Sequence, residues 1–232
     1  MKTIGIIGGM SWESTVPYYR LINEGVKERL GGLHSARMVL LSVDFHDIAE
    51  LQNGGRWDEA GDAMVDAARA LEAAGADCVV IATNTMHISA DRVADAVSLP
   101  LLHIADATGE EIVRHGIGTV GLLGTRFTME QDFYRTRLAE RFGLEVLVPE
   151  SEDREFVNRV IYTELCCGVF DEDSRARFRE IIGRLVSAGA GGIVLGCTEI
   201  PLLVTADDSP VPLFDTGRLH AAAAVAFALA ED

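Results

Sequence analysis

The 232-residue chain predicts an α/β fold of two similar halves, each a parallel sheet flanked by helices. Three observations carry the prediction. Apolar, β-branched runs alternate with helical patterns, glycines cluster where strand would turn into helix, and the same order of motifs is written twice. Strand then helix, repeated, gives parallel strands joined by right-handed crossovers.

The strand candidates at residues 3–7, 38–43 and 79–82 are apolar nearly throughout, as expected of strands buried on both faces. Between them, Ala60, Met64, Ala67, Ala68 and Leu71 recur at steps of three and four, while Asp58, Asp62, Asp66 and Arg69 occupy the other positions. That is the apolar stripe of an amphipathic helix over residues 57–71.

The duplication is read from three matched segments. Thr3-Ile4-Gly5-Ile6-Ile7-Gly8 matches Thr119-Val120-Gly121-Leu122-Leu123-Gly124, which stands 116 residues later. Cys78-Val79-Val80-Ile81-Ala82-Thr83 matches Gly192-Ile193-Val194-Leu195-Gly196-Cys197 at a distance of 114, and Leu99-Pro100-Leu101 matches Val211-Pro212-Leu213 at 112. Ordered matches at a nearly constant spacing mark a repeated unit.

In parallel α/β sheets, functional residues gather on loops at the carboxyl ends of the strands. Gly8-Gly9-Met10-Ser11, Thr83-Asn84-Thr85, Gly124-Thr125 and Gly196-Cys197-Thr198-Glu199 all fall there. Thr83 and Cys197 are repeat-equivalent, so halves related by a pseudo-two-fold axis are expected to present them to one another across a cleft. One proton-handling side chain on each side suits chemistry that reaches both faces of one carbon. Racemisation is such chemistry.

Composition narrows the partners. Hydrophobic residues at 48% and charged residues at 24% are ordinary for a soluble globular protein. A net charge of −16 argues against nucleic acid and anionic membrane, both of which are held by basic surface. No apolar run reaches the ~18 residues of a membrane span. The opening stretch, MKTIGIIGGM, reads as a buried strand rather than a signal peptide, so a reducing cytoplasm is the expected compartment.

The four cysteines, Cys78, Cys166, Cys167 and Cys197, have no zinc-type spacing, so no metal is expected. Cys78 lies inside its strand and reads as structural. Cys197 stands just past a strand end beside glycine and hydroxyl groups, where loop N–H donors are expected to lower its pKa from ~8.5. Thr83-Asn84-Thr85 suits a carboxylate cradle, and it equally suits a helix cap. His87 fits an orienting or proton-carrying role as well as a packed position in the first helical turn. Gly5-Ile6-Ile7-Gly8-Gly9 has the wrong spacing for a dinucleotide fingerprint and fits an anion-binding turn, with Met10 and Ser11 on it. Gln52, taken to lie on the loop after the second strand, is a candidate for orienting a substrate carboxylate. Pyridoxal phosphate needs a lysine for its Schiff base. The two lysines are Lys2, before the first strand, and Lys27, in a polar helical stretch, so a racemase here is expected to use no cofactor.

Gly8-Gly9-Met10-Ser11-Trp12-Glu13-Ser14-Thr15, Asn84-Thr85-Met86-His87, Leu122-Leu123-Gly124-Thr125 and Gly196-Cys197-Thr198-Glu199 together resemble the aspartate/glutamate racemase family over the whole chain, and most nearly its bacterial L-aspartate/glutamate-specific branch. The resemblance implies a homodimer of two-domain subunits. The first domain would be residues 1–98 plus 211–232 and the second residues 99–210, with the active site between them. It also implies a small acidic amino acid as substrate and two cysteines as acid and base. The second cysteine maps onto Cys197 and the first onto Thr83, which is a departure. By the resemblance, Cys197 faces the α-proton of the L enantiomer and Thr83 returns a proton on the other side. Asn84, Thr85, Thr125 and Thr198 would hold the carboxylate, and Glu199 would tune Cys197 or hold the ammonium. A second departure is Cys166, where several relatives carry a lysine for the side-chain carboxylate. Related activities of the maleate isomerase, hydantoin racemase and arylmalonate decarboxylase kind fit the same frame. A non-catalytic binder of acidic amino acids is the reading from a different class, and a nucleotide-binding α/β protein is a third.

Overall fold

The computed structural model describes residues 1–230 and divides into two compact units, each built on a four-stranded parallel sheet. The first unit runs from Met1 to His103 and resumes at His220; the second is Ile104–Leu219.

In the first unit the strands are β1 (Ile4–Gly8), β2 (Met38–Ser42), β3 (Cys78–Ile81) and β4 (Leu101–Leu102), in the order β2-β1-β3-β4. Helices α1 (Trp12–Leu30), α2 (Phe45–Asn53), α3 (Trp57–Ala73) and α4 (Ala90–Ala96) connect them. Alternation along the two central strands sorts the core into two faces. Ile4, Ile6, Cys78 and Val80 pack with Tyr18, Ile22 and Val26 of α1. Ile7, Val79 and Ile81 pack with Met64, Ala68 and Leu71 of α3, the stripe expected from the sequence.

The second unit repeats this plan. Its strands β5 (Thr119–Gly124), β6 (Glu145–Leu147), β7 (Ile193–Gly196) and β8 (Leu213–Asp215) run in the order β6-β5-β7-β8. They are accompanied by α5 (Ile104–Arg114), α6 (Arg126–Glu130), α7 (Asp132–Phe142), α8 (Ser151–Thr163) and α9 (Glu172–Ser187). A final helix, α10 (Thr216–Leu229), contains the second boundary between the units. The identical strand order in both sheets is what a duplicated half requires.

Three sequence expectations shift. β2 is half-buried rather than buried on both faces, with Leu40 45% exposed, because it has β1 on one side and no strand on the other. Gln52 lies not on a loop but in α2, whose start is capped by the Asp44 carboxylate accepting the His46 N–H. The units divide at 103/104 and 219/220 instead of 98/99 and 210/211, because Leu101–Leu102 pairs with β3 and Leu213–Asp215 pairs with β7. Among the described residues, no helix is long and apolar enough to cross a membrane.

The repeat-equivalent glycines Gly5 of β1 and Gly121 of β5 have unlike surroundings. A Cβ on Gly5 would stand 2.8 Å from the Cys78 carbonyl oxygen and 2.8 Å from the Ala76 Cβ. One on Gly121 would meet the ends of Ile193 and Leu185 side chains at 2.8 and 2.9 Å. Backbone cannot yield as a side-chain tip can. Gly5→Ala should therefore destabilise by about 2–3 kcal/mol and Gly121→Ala by about 1 kcal/mol or less, read from urea midpoints at unchanged m. Equal losses would show that the backbone contact does not set the cost.

Candidate active site

In the first unit, the carboxyl ends of β1 and β3 lie side by side, and their loops carry most of the candidate residues. The Gly8–Ser11 loop is held at its start, where the Gly9 N–H donates to Thr15 Oγ1 at 2.8 Å. Thr15 Oγ1 in turn donates to the Ser11 carbonyl at 2.8 Å. Gly9 takes φ +92, and Met10 and Ser11 are buried.

After β3, the Thr83 N–H bonds back to Ile81, and Thr83 is partly exposed, while Asn84, Thr85 and His87 are buried. The sequence left a cap and a cradle open here. Asn84 stands at the start of the 3-10 turn Thr85–Ser89 without making a side-chain cap bond. The turn is tied instead by His87, whose N–H reaches the Asn84 carbonyl at 3.1 Å and whose Nδ1 lies 2.7 Å from the Thr83 carbonyl. Gln52 joins this group from α2, its Nε2 donating to the Met86 sulfur at 3.2 Å. A thioether is a weak acceptor, so little holds that amide against a better partner.

In the second unit, Thr125 closes β5, Cys197 follows β7 directly, and the two strands are adjacent. Thr125 Oγ1 accepts the Thr128 N–H, which makes it the cap of α6. The buried Cys197 thiol donates to Glu199 Oε2 at 2.8 Å, and the Thr198 hydroxyl donates to the same oxygen at 3.1 Å. Glu199 is itself buried.

The electrostatics reverse one expectation. Cys197 is not activated by loop N–H donors. Burial, then the Glu199 carboxylate, then Cys166 push its pKa well above the ordinary thiol value, and the Glu199 backbone N–H opposes them only in part. The thiol is thereby a weaker acid than an ordinary cysteine, and its polar partner is Glu199 Oε2. Tyr162 of α8 belongs to the same group: burial raises its phenol, with Cys197, Cys166 and Glu199 adding to the shift. Neither Tyr162 nor its nearness to Cys197 carries a local sequence signal, because α8 and the β7 loop meet only in the fold.

The other cysteines separate by depth. Cys78 is fully buried in β3, where desolvation raises its pKa to about 11, while Cys166 is partly buried and Cys167 exposed. Lys2 lies over the Phe227 ring before β1, and Lys27 is in the last turn of α1. Among the described residues, no group of three or more His, Cys, Asp or Glu is arranged to hold a metal ion.

Two parallel α/β units with repeat-equivalent hydroxyl and thiol groups at their strand ends define a class of enzyme, and sequence comparison gives the family. The profile of the Asp/Glu/Hydantoin racemase family matches residues 7–224, and the chain belongs to that family. A crystal structure of a proposed Asp/Glu racemase from Yersinia pestis is 56% identical, with a TM-score of 0.92 over 99% of this chain and 100% of that one. An aspartate racemase homologue from Pyrococcus horikoshii OT3 is 38% identical, with a TM-score of 0.84 over 98% and 99% of the two chains. The broad specificity amino-acid racemase RacX of Bacillus subtilis (strain 168) is 24% identical over 98% of each chain.

The thiol–carboxylate contact makes a direct prediction. Glu199 raises the Cys197 pKa both by its charge and by its hydrogen bond, so Glu199→Gln should lower it. In the pH dependence of iodoacetamide labelling, followed on the Cys197 peptide, the midpoint should lie above that of an ordinary thiol. It should move down in Glu199→Gln. A Cys197 midpoint that does not move would mean that the carboxylate does not govern the thiol.

Proposed function

We propose that this chain is a cofactor-independent racemase of acidic amino acids, glutamate or aspartate, in which Cys197 removes the α-proton of the L enantiomer and Thr83 returns one on the opposite face. The observation that carries the reading is the buried Cys197–Glu199 pair at the end of β7, with Thr83 at the equivalent end of β3.

The proton inventory closes. Glu199 takes the thiol proton, and the thiolate then takes the Cα proton, leaving a neutral thiol and a carbanion. The Thr83 hydroxyl passes its proton to the carbanion while taking one from water, so no free alkoxide forms, and Glu199 releases its proton to solvent. The substrate ammonium favours thiolate formation electrostatically. Asn84, Thr85, Ser11, Thr125 and Thr198 are the donors proposed for the α-carboxylate as its charge grows. Gln52 orients the side-chain carboxylate. A buried thiol paired with a carboxylate is a chemical device rather than a packing one, which supports an enzyme over a non-catalytic binder. The reading extends to a homodimer in the cytoplasm, on the strength of the family resemblance.

The test is α-proton exchange in D2O beside chiral chromatography, with L-Asp, L-Glu and a panel of other amino acids and no added cofactor. The acidic substrates should exchange and invert fastest. Cys197→Ser should lose at least ~10²-fold in L-substrate exchange, the scale of one acid–base group. Thr83→Ala should suppress inversion more than L-exchange, because Cys197 still removes and returns a proton on its own face. Undiminished exchange in Cys197→Ser would overturn the assignment. Proportional loss of exchange and inversion in Thr83→Ala would make Thr83 a substrate clamp.

A further inference from the structure

His87 is buried three residues past the Asn84 backbone group it bonds, yet the proposed chemistry gives it no proton to move. Around it the first unit gathers His103, His220 and Tyr18, all buried. The His87 ring lies 4.5 Å from His103 and 5.6 Å from His220, centre to centre, and Tyr18 meets His220 edge-on at 5.8 Å. Tyr18 and His220 are 202 residues apart, so only the closing of α10 onto β4 and α1 assembles the group.

The hydrogen bonds fix what each ring does. A carbonyl oxygen only accepts, so His87 Nδ1, 2.7 Å from the Thr83 carbonyl, must carry a proton. His220 is set the other way. Its Nε2 lies 2.7 Å from the Leu102 carbonyl and bears the proton, and its Nδ1 lies 3.0 Å from the Tyr18 hydroxyl. Both ring-to-carbonyl bonds end on main chain, and an amide carbonyl does not hand a proton onward. These contacts therefore hold shape; they do not conduct.

We propose that His87 is the positioning residue of the Thr83 face: its Nδ1–H pins the Thr83 carbonyl, and the His103, His220 and Tyr18 rings fix the plane from which it does so. The rings bear on the five-residue 3-10 turn that follows Thr83 and Asn84, and a turn of that kind has poorer hydrogen-bond geometry than an α-helix. The inference rests on Thr83 acting as the second proton handler. His103 and His220 act one step further back, through the His87 ring, and Tyr18 acts through His220.

The experiment compares His87→Asn, His87→Leu and Thr83→Ala in the exchange and inversion assay. An asparagine amide places an N–H near the imidazole Nδ1, whereas leucine keeps apolar bulk without a donor. His87→Leu should lower inversion about tenfold, the weight of one well-placed hydrogen bond, while L-face exchange through Cys197 holds. His87→Asn should recover most of the inversion. Equal loss of both activities in His87→Leu, or no recovery in His87→Asn, overturns the proposal. If Thr83→Ala fails to separate inversion from L-exchange, the Thr83 reading falls; if it separates them and His87→Leu does not, only the positioning role falls. Long-range 1H–15N spectra of the wild-type protein give a check independent of activity and of mutant folding. They should show His87 protonated at Nδ1 and His220 at Nε2, and a His87 ring with a bare Nδ1 refutes the tether.

Discussion

Parallel pairing is the constraint on which the rest of this protein depends. Parallel strands cannot be joined by tight turns, so every strand must be followed by a crossover, and all carboxyl ends fall along one edge. With the order β2-β1-β3-β4, and its repeat β6-β5-β7-β8, the two central strands of each sheet finish side by side. The Ser11 loop thus adjoins the Thr83 turn in one unit, and Thr125 adjoins Cys197 in the other. Glycine at β1 and β5 serves the same end, admitting the neighbouring strand and helix at a spacing that a larger residue would widen.

On that frame, the chemistry of Cys197 is set by water exclusion rather than by positive charge. A buried thiol beside a carboxylate is a poorer acid than one in water. For the proton transfer proposed at Thr83 the requirement is different. A hydroxyl needs no pKa adjustment to pass a proton on, but it must point the right way, and backbone geometry therefore matters more there than electrostatics.

The sequence carried the frame more fully than the site. Strand cores such as residues 79–82, the α3 stripe and the glycine punctuation are local patterns, and each is visible within a dozen residues. The edge character of β2 was not, because Val39, Leu40 and Leu41 look as apolar as a central strand and only pairing reveals which side lacks a neighbour. α2 left a trace in Asp44, whose capping bond to His46 marks the start of the helix that holds Gln52. The thiol was misjudged because proximity to loop N–H groups is legible in Gly196-Cys197-Thr198, whereas the way Glu199 folds back onto the sulfur is not. Tyr162 and the histidine group lay beyond reach for the same reason: their partners are brought together by helices distant in sequence.

The depths at which the four cysteines lie have a use of their own. Cys167 is at the surface, Cys166 partly covered, Cys197 enclosed in its turn, and Cys78 sealed within a central strand. A small thiol reagent applied in pulses therefore meets a graded series of doors, with three in the second unit and one in the first. Fluctuations that lift a loop expose only the shallow sulfurs, and Cys78 reacts when β3 itself parts from its sheet. The chain thereby records the hierarchy of its own opening motions without any added label.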